Sequence, residues 1–265
     1  MIIEIGAIAA ITGGVIGTMS IQRARHYKRL ATCLDKVKQT SRSSATDLSR
    51  HPVPSFSNRI AAVPDFLGAE QFANLQREVE ALSGAERSYV PSHKKGATIA
   101  YETLIEHAPG VTAFYHSEAM ATYISHMTGV AVRPTPLHDQ NSLSILIYER
   151  SGDHIGWHYD HNFYRGRHFT VLLPVVNHGN AADGHSHARL KAMIGDAEAE
   201  LQTPPNTLIV FEGARIMHKV TPLAAGERRL LISMTYCSDA QANFAQAVAR
   251  RFKDTAFFGV RALWT

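Results

Sequence analysis

Cysteine is scarce: Cys33 and Cys237 are the only two in 265 residues. That excludes a disulfide framework, and a reducing compartment fits best. Charge is also modest, at 19%, with 27 Lys and Arg against 23 Asp and Glu. With 45% apolar residues, this excludes a mostly disordered, collagen-like or multi-span membrane chain. There is no internal repeat and no long low-complexity tract. The length suits one ordinary domain, or one domain with an appendage. Histidine is plentiful, with 15 residues, and points to metal or proton chemistry.

The formal charge of +4 is unevenly placed. Residues 21–59 hold nine basic residues against Asp35 and Asp47, whereas 60–265 hold 18 basic and 20 acidic ones. Phosphate recognition needs a basic face on the folded domain, so no nucleic-acid partner is expected. The basic block follows an apolar start. Ile5 to Gln22 are 18 residues without charge, roughly 27 Å as a helix and just enough to span a hydrocarbon core. Residues 1–22 are therefore expected to be a transmembrane anchor or a targeting segment. The positive-inside rule then puts the C-terminal domain on the cytoplasmic side of a single-pass membrane protein, or simply in the cytoplasm if there is no anchor. Residues 23–59, with His51-Pro-Val-Pro54, read as a basic, Ser- and Pro-containing linker. Residues 60–265 read as the folded domain.

Within that domain, Phe72, Leu75, Val79 and Leu82 fall three and four apart, predicting a helix over Ala69–Leu82. A second helix is expected from Ser117, an N-cap, to Met127, with Gly129 beyond its end. After about residue 140 the texture changes to short β-rich runs: Leu143–Tyr148, Phe169–Val175, Thr207–Phe211 and Leu230–Tyr236. Turn-forming stretches separate them. Helices first and short strands after predict a mainly β domain with flanking helices around an antiparallel barrel or sandwich.

The densest chemical signal is Asp153-His-Ile-Gly-Trp-His158-Tyr-Asp160-His-Asn162. On an extended strand His158 and Asp160 would point the same way, aiming an imidazole and a carboxylate at one spot. That is two-thirds of the facial 2-His-1-carboxylate triad that holds non-heme Fe(II). His218, after the Thr207–Phe211 run, qualifies as the third ligand. Ten residues further on, Arg228 can pair bidentately with a carboxylate. This set resembles the 2-oxoglutarate- and Fe(II)-dependent dioxygenases. The stretch His218-Lys-Val-Thr-Pro-Leu-Ala-Ala-Gly226-Glu-Arg228 is similar to their prolyl 4-hydroxylase branch.

The resemblance implies a double-stranded β-helix, a jelly-roll or cupin-like core. It implies that His158, Asp160 and His218 hold Fe(II), that Arg228, favoured by spacing over the adjoining Arg229, binds 2-oxoglutarate, and that Tyr148 adds a hydroxyl to it. O2 would be the second cosubstrate, with ascorbate open as a reductant. The reaction implied is hydroxylation of a C–H bond in a peptide, lipid or small metabolite, with release of succinate and CO2. Asp160 argues against halogenating relatives, which put a small residue there to admit halide. The alternatives are a cupin-like Zn or Mn isomerase or hydrolase, and a catalytically silent β-barrel binding module; neither needs Arg228. His154, His161, His185 and His187 read as turn or loop residues. His93 reads as part of a turn or lid. Arg165 and Arg167 read as surface charge or a grip on an anionic substrate head. Trp157 and Asn162 are expected either to support the ligands or to serve in core and turn.

Overall fold

The computed structural model describes residues 2–40, Leu48, 51–90, 93–243, 246–250 and 252; in the first helix it describes side chains from Ser20 on. Helix α1 (Ile2–Thr40) runs unbroken through the apolar start and the basic block. Helices α2 (Ala69–Ala81), α3 (Tyr101–His107), α4 (Pro109–His116) and α5 (Glu118–Thr128) pack on one side of a large sheet. The α5 boundaries follow the sequence signals. Ser117 Oγ accepts from the Met120 amide at 3.2 Å, and Gly129 closes the helix in the left-handed region.

Among the described residues, no helix is long and apolar enough to cross a membrane. This corrects the expected transmembrane anchor and membrane partner, and with them the membrane localisation. Gly6, Gly13, Gly14 and Gly17, with Thr12, Thr18 and Ser20, dilute the aliphatic residues of the charge-free stretch. The structure also differs from the expected linker over residues 23–40, which are helix. Leu30, Leu34 and Val37 are buried on one stripe of α1, spaced four and three apart. Residues just before this stripe also serve docking: His26 lies 2.9 Å from Glu102 and Arg29 3.0 Å from Glu106, both acids on α3.

The strands are β1 (Ile60–Val63), β2 (Glu86–Val90), β3 (Lys94–Ile99), β4 (Arg133–Pro134), β5 (Leu143–Tyr148), β6 (His154–His158), β7 (His168–His178), β8 (Leu190–Ile194), β9 (Ala197–Leu201), β10 (Leu208–Phe211), β11 (His218–Val220) and β12 (Arg228–Cys237). All pairings are antiparallel, in the order β1-β10-β7-β12-β5-β3-β6-β11-β8-β9; β2 joins β3 and β4 joins β12. The sheet curls on itself into the half-barrel of the expected jelly-roll class. Thr170 on β7 and Asp160, just past β6, lie four pairings apart along the sheet order, yet their side chains are hydrogen bonded.

Alternation along β12 divides two cores. Leu230, Ile232, Met234 and Tyr236 face the helical layer and join its large apolar cluster. Leu231 joins a smaller cluster inside the curl with Leu172, Leu190, Phe211 and Val220. Arg229, Ser233 and Thr235 share the phase of Leu231 and line the interior cavity.

Candidate active site

The cavity inside the curl has a volume of about 400 Å³. At one wall β6 and β11 pair with His158 directly opposite His218. Residues opposite each other on antiparallel strands project to the same face, and the two imidazole centroids are 4.2 Å apart. Asp160 completes the cluster from a different position than the sequence suggests. Strand β6 ends at His158, so Asp160 sits in the following loop, where its amide donates to the Gly213 carbonyl at 3.0 Å. Its Oδ1 lies 3.6 Å from His158 Nε2 and 3.7 Å from His218 Nε2. All three ligand atoms lie within 4.8 Å of one another, the only such group of metal-capable side chains among the described residues.

The donor set is prepared for a divalent cation. His158 Nδ1 lies 2.8 Å from the Gly156 carbonyl and His218 Nδ1 2.9 Å from the Ile216 carbonyl. A carbonyl only accepts, so both Nδ1 atoms carry the proton and both Nε2 lone pairs face the cluster. Thr170 donates to Asp160 Oδ2 at 2.5 Å, leaving Oδ1 toward the imidazoles. Burial alone would raise the Asp160 carboxyl, but His218, His158 and Thr170 hold it well below the ordinary carboxylate range. Two histidines, each freed of its Nε2 proton when metal binds, and one ionised carboxylate are the ligands that non-heme iron takes.

Gly213 was not singled out in the sequence, where no motif marks it. A Cβ there would overlap Asp160 Oδ2, Asp160 Cβ and Thr170 Oγ1. A Gly213→Ala protein is therefore expected to fold but to bind Fe(II) or Mn(II) about 10-fold to 100-fold more weakly, as for lost support of a ligand. Metal titration by calorimetry checks this; an unchanged affinity would show that Asp160 does not depend on this close approach.

Arg228, expected to bind the cosubstrate, does not line the cavity, whereas its neighbour Arg229 does. Arg228 points outward and pairs with Glu149 at 3.0 Å and Glu80 at 3.1 Å. Arg229 lies inward at 1% exposure, and its Nε, Nη1 and Nη2 have no hydrogen-bond partner among the described residues. Its guanidinium carbon lies 5.5 Å from the ring centroid of Tyr148, its cross-strand neighbour. Burial pulls the Arg229 guanidinium below its ordinary pKa and pushes the Tyr148 phenol up to about 12. A buried cation without an anion is costly, and this one opens onto the same cavity as the His–Asp–His cluster. Leu146, Leu172, Leu190 and Leu231 supply apolar lining. Ser144, Thr170, Ser233 and Thr235 make a polar wall.

The other singled-out residues fall mostly outside the cavity. Arg167 makes a two-point contact with Glu212 at 3.0 and 3.1 Å, and Arg165 reaches Gln241. Asn162 closes a turn by donating to the Gly166 carbonyl and accepting from the Tyr164 amide. Trp157 is 38% exposed beneath the Lys219 ammonium. His154 bonds its own turn at the Gly152 carbonyl. His93 and His161 do line the cavity, and the His93 ring stands edge-on to His158 at 5.5 Å.

His187 belongs to a knot at the base of β12. The buried Glu227 carboxylate accepts from the amides of Asn180, His187 and Ala224 and from the His187 ring at 2.6 Å. Burial opposes its ionisation, but these donors hold its pKa down to about 2. A depressed carboxylate stabilises the fold fully above its unfolded value, and this contribution fades as pH falls through the folded one. Melting temperature should therefore drop between about pH 4.5 and pH 2, and Glu227→Gln should flatten that acid limb. An identical slope in both proteins would count against the knot.

The family model of halogenase D matches residues 55–257. The chain belongs to the halogenase D family. No curated protein matches it. Among solved structures, the halogenase D chain resembles the epimerase SnoN in complex with Fe3+, alpha ketoglutarate and nogalamycin RO. The TM-score is 0.55 at 14% identity, over 68% of this chain and 78% of that one. It also resembles a 2OG-Fe(II) oxygenase family oxidoreductase from Burkholderia pseudomallei, with TM-score 0.53 at 15% identity, over 71% and 89%. A prolyl hydroxylase from Trichoplax adhaerens in complex with a peptide fragment gives 0.50 at 15% identity, over 77% and 92%. At these identities the likeness is one of fold. The dioxygenase-type fold stands, while the matching family is halogenase D rather than a prolyl 4-hydroxylase.

Proposed function

We propose that this halogenase D family protein is an Fe(II)- and 2-oxoglutarate-dependent oxygenase that hydroxylates a C–H bond. His158, Asp160 and His218 would hold the iron. Bound there, Fe(II) would supply the O2 chemistry that converts 2-oxoglutarate to succinate and CO2 and leaves one oxygen atom in the product alcohol. The single observation that carries this reading is Arg229, a buried and unpaired guanidinium facing the same cavity as the His–Asp–His cluster. A dicarboxylate explains it, because one carboxylate satisfies the guanidinium fork while the aliphatic carbons lie against the leucines. A Zn or Mn isomerase, or a silent binding module, needs no such cation.

Tyr148 holds the floor of that subsite. Its phenol remains neutral at physiological pH, and its ring packs beneath Arg229. Thr170 fixes which Asp160 oxygen is presented, and the Nδ1–carbonyl bonds fix which imidazole nitrogens are. The family name suggests halogenation, but Asp160 fills the position that halogenating relatives leave small for halide. Hydroxylation is therefore the better reading.

The test is anaerobic addition of Fe(II) and 2-oxoglutarate, followed by air. A weak visible charge-transfer band, then succinate release, is expected. No band and no succinate would sink the proposal. Incubation with a metabolite extract should then yield a product heavier by one oxygen atom; a chlorinated product in chloride buffer would replace hydroxylation by halogenation.

A further inference from the structure

A second cavity, of about 320 Å³, adjoins the first. Tyr159, the residue between His158 and Asp160, lines both. Two guanidiniums, of Arg59 and Arg215, line the second cavity, and among the described residues no acidic side chain does. Asn58 adds an amide, and Met193 and Met217 add apolar wall.

Local charge does not balance there. Arg59 contacts Glu212, but Arg167 already engages both oxygens of that acid at 3.0 and 3.1 Å. Arg59 reaches only one of them, at 3.4 Å, and its side chain remains 51% exposed. Arg215 bonds Glu212 through its backbone amide alone, and its guanidinium has no partner among the described residues.

Arg59 is also held in a costly conformation. Among the described residues it is one of three non-glycine residues with positive φ, at 59°. Such positions cost about 1–3 kcal/mol and persist where the surroundings fix them. Here the Arg59 amide bonds the Phe56 carbonyl at 3.0 Å and the Arg59 carbonyl accepts from Glu212 at 3.0 Å. The side chain is thus anchored at both backbone groups before β1 begins.

We infer that this second cavity binds an anionic group of the substrate, a phosphate or a carboxylate, between Arg59 and Arg215. The substrate then passes Tyr159 to reach the His158–Asp160–His218 cluster. The link to turnover rests on the proposed oxygenase reading; the anion site itself does not. Two guanidinium forks around one anion give charge-assisted bonds in a fixed geometry.

The test titrates pyrophosphate by 31P NMR, and citrate by calorimetry, into metal-free protein carrying Arg229→Met, so that the guanidinium of the first cavity contributes nothing. One saturable site is expected for at least one probe, and the tighter probe names the head group. Arg215→Glu should weaken that binding at least tenfold, with an unchanged melting temperature because Arg215 is exposed. Arg215→Lys should restore part of it, and Arg59→Gln should weaken it independently. No saturable binding of either probe, or binding indifferent to Arg215→Glu, overturns the inference. Succinate release by the unaltered protein is measured alongside. Turnover without anion binding removes only the second cavity's role, whereas anion binding without turnover removes only the oxygenase reading.

Discussion

An Arg229→Met protein is expected to need at least about 30-fold more 2-oxoglutarate for half-maximal succinate release. Truncating one partner of a buried, hydrogen-bonded charge pair costs about 2–5 kcal/mol, and each 1.4 kcal/mol is tenfold. Arg228→Ala should change this requirement little, since Arg228 is tied on the surface to Glu80 and Glu149. A second measurement separates binding from folding. Without cosubstrate, Arg229 is a desolvated cation with no anion, so Arg229→Met should melt at the same temperature as the unaltered protein or higher. Added 2-oxoglutarate should raise the melting temperature of the unaltered protein by mass action and leave the variant unmoved. If the Arg228 variant shows the larger change, the inward assignment is wrong.

Asp160→Ala should lower succinate release by more than about 100-fold, because loss of mere second-layer support already costs 10-fold to 100-fold. Metal affinity should fall with it, as two imidazoles alone remain. Asp160→Asn keeps the shape and the Thr170 contact but removes the charge, so it separates geometry from electrostatics. Both proteins should fold, since Asp160 lies in a loop after β6 and is not a ladder residue. Calorimetric titration with Mn(II) and a succinate assay decide the matter. Full turnover by either variant would remove Asp160 from the centre.

The three cluster residues were legible because His158-x-Asp160, weak alone in a histidine-rich chain, lies among β-rich runs with His218 following a later one. Their arrangement was less so. The sequence suggested one strand carrying both His158 and Asp160, whereas the chain leaves β6 at His158 and returns the carboxylate through a loop held by Gly213. Which of Arg228 and Arg229 faces the cavity is not readable from hydrophobicity, because both faces of β12 are buried. Leu230 and Leu231 are equally apolar, so hydrophobic alternation gives no phase, and spacing from His218 selected Arg228. The clue was further along: Ser233 and Thr235 share the phase of Arg229, while Met234 and Tyr236 share the other. Gly213 and Thr170 carry no local signature, since their importance comes from closure of the sheet. In α1 the uncharged stretch gives the stronger sequence signal, while the docking stripe of Leu30, Leu34 and Val37 is carried by spacing alone within a basic segment.

The two imidazoles of the centre are steered by carbonyls two residues upstream, at Gly156 and Ile216. Their tautomers are therefore written into the path of the main chain and owe nothing to a neighbouring acid or amide. Side chains around them can drift over evolutionary time without turning either ring. The carboxylate differs, because Thr170 and the bare Cα of Gly213 set its pose. Divergence within such a lineage should then concentrate its effects on the Asp160 arm, where a few substitutions can change what the centre admits while both histidines stay as they are.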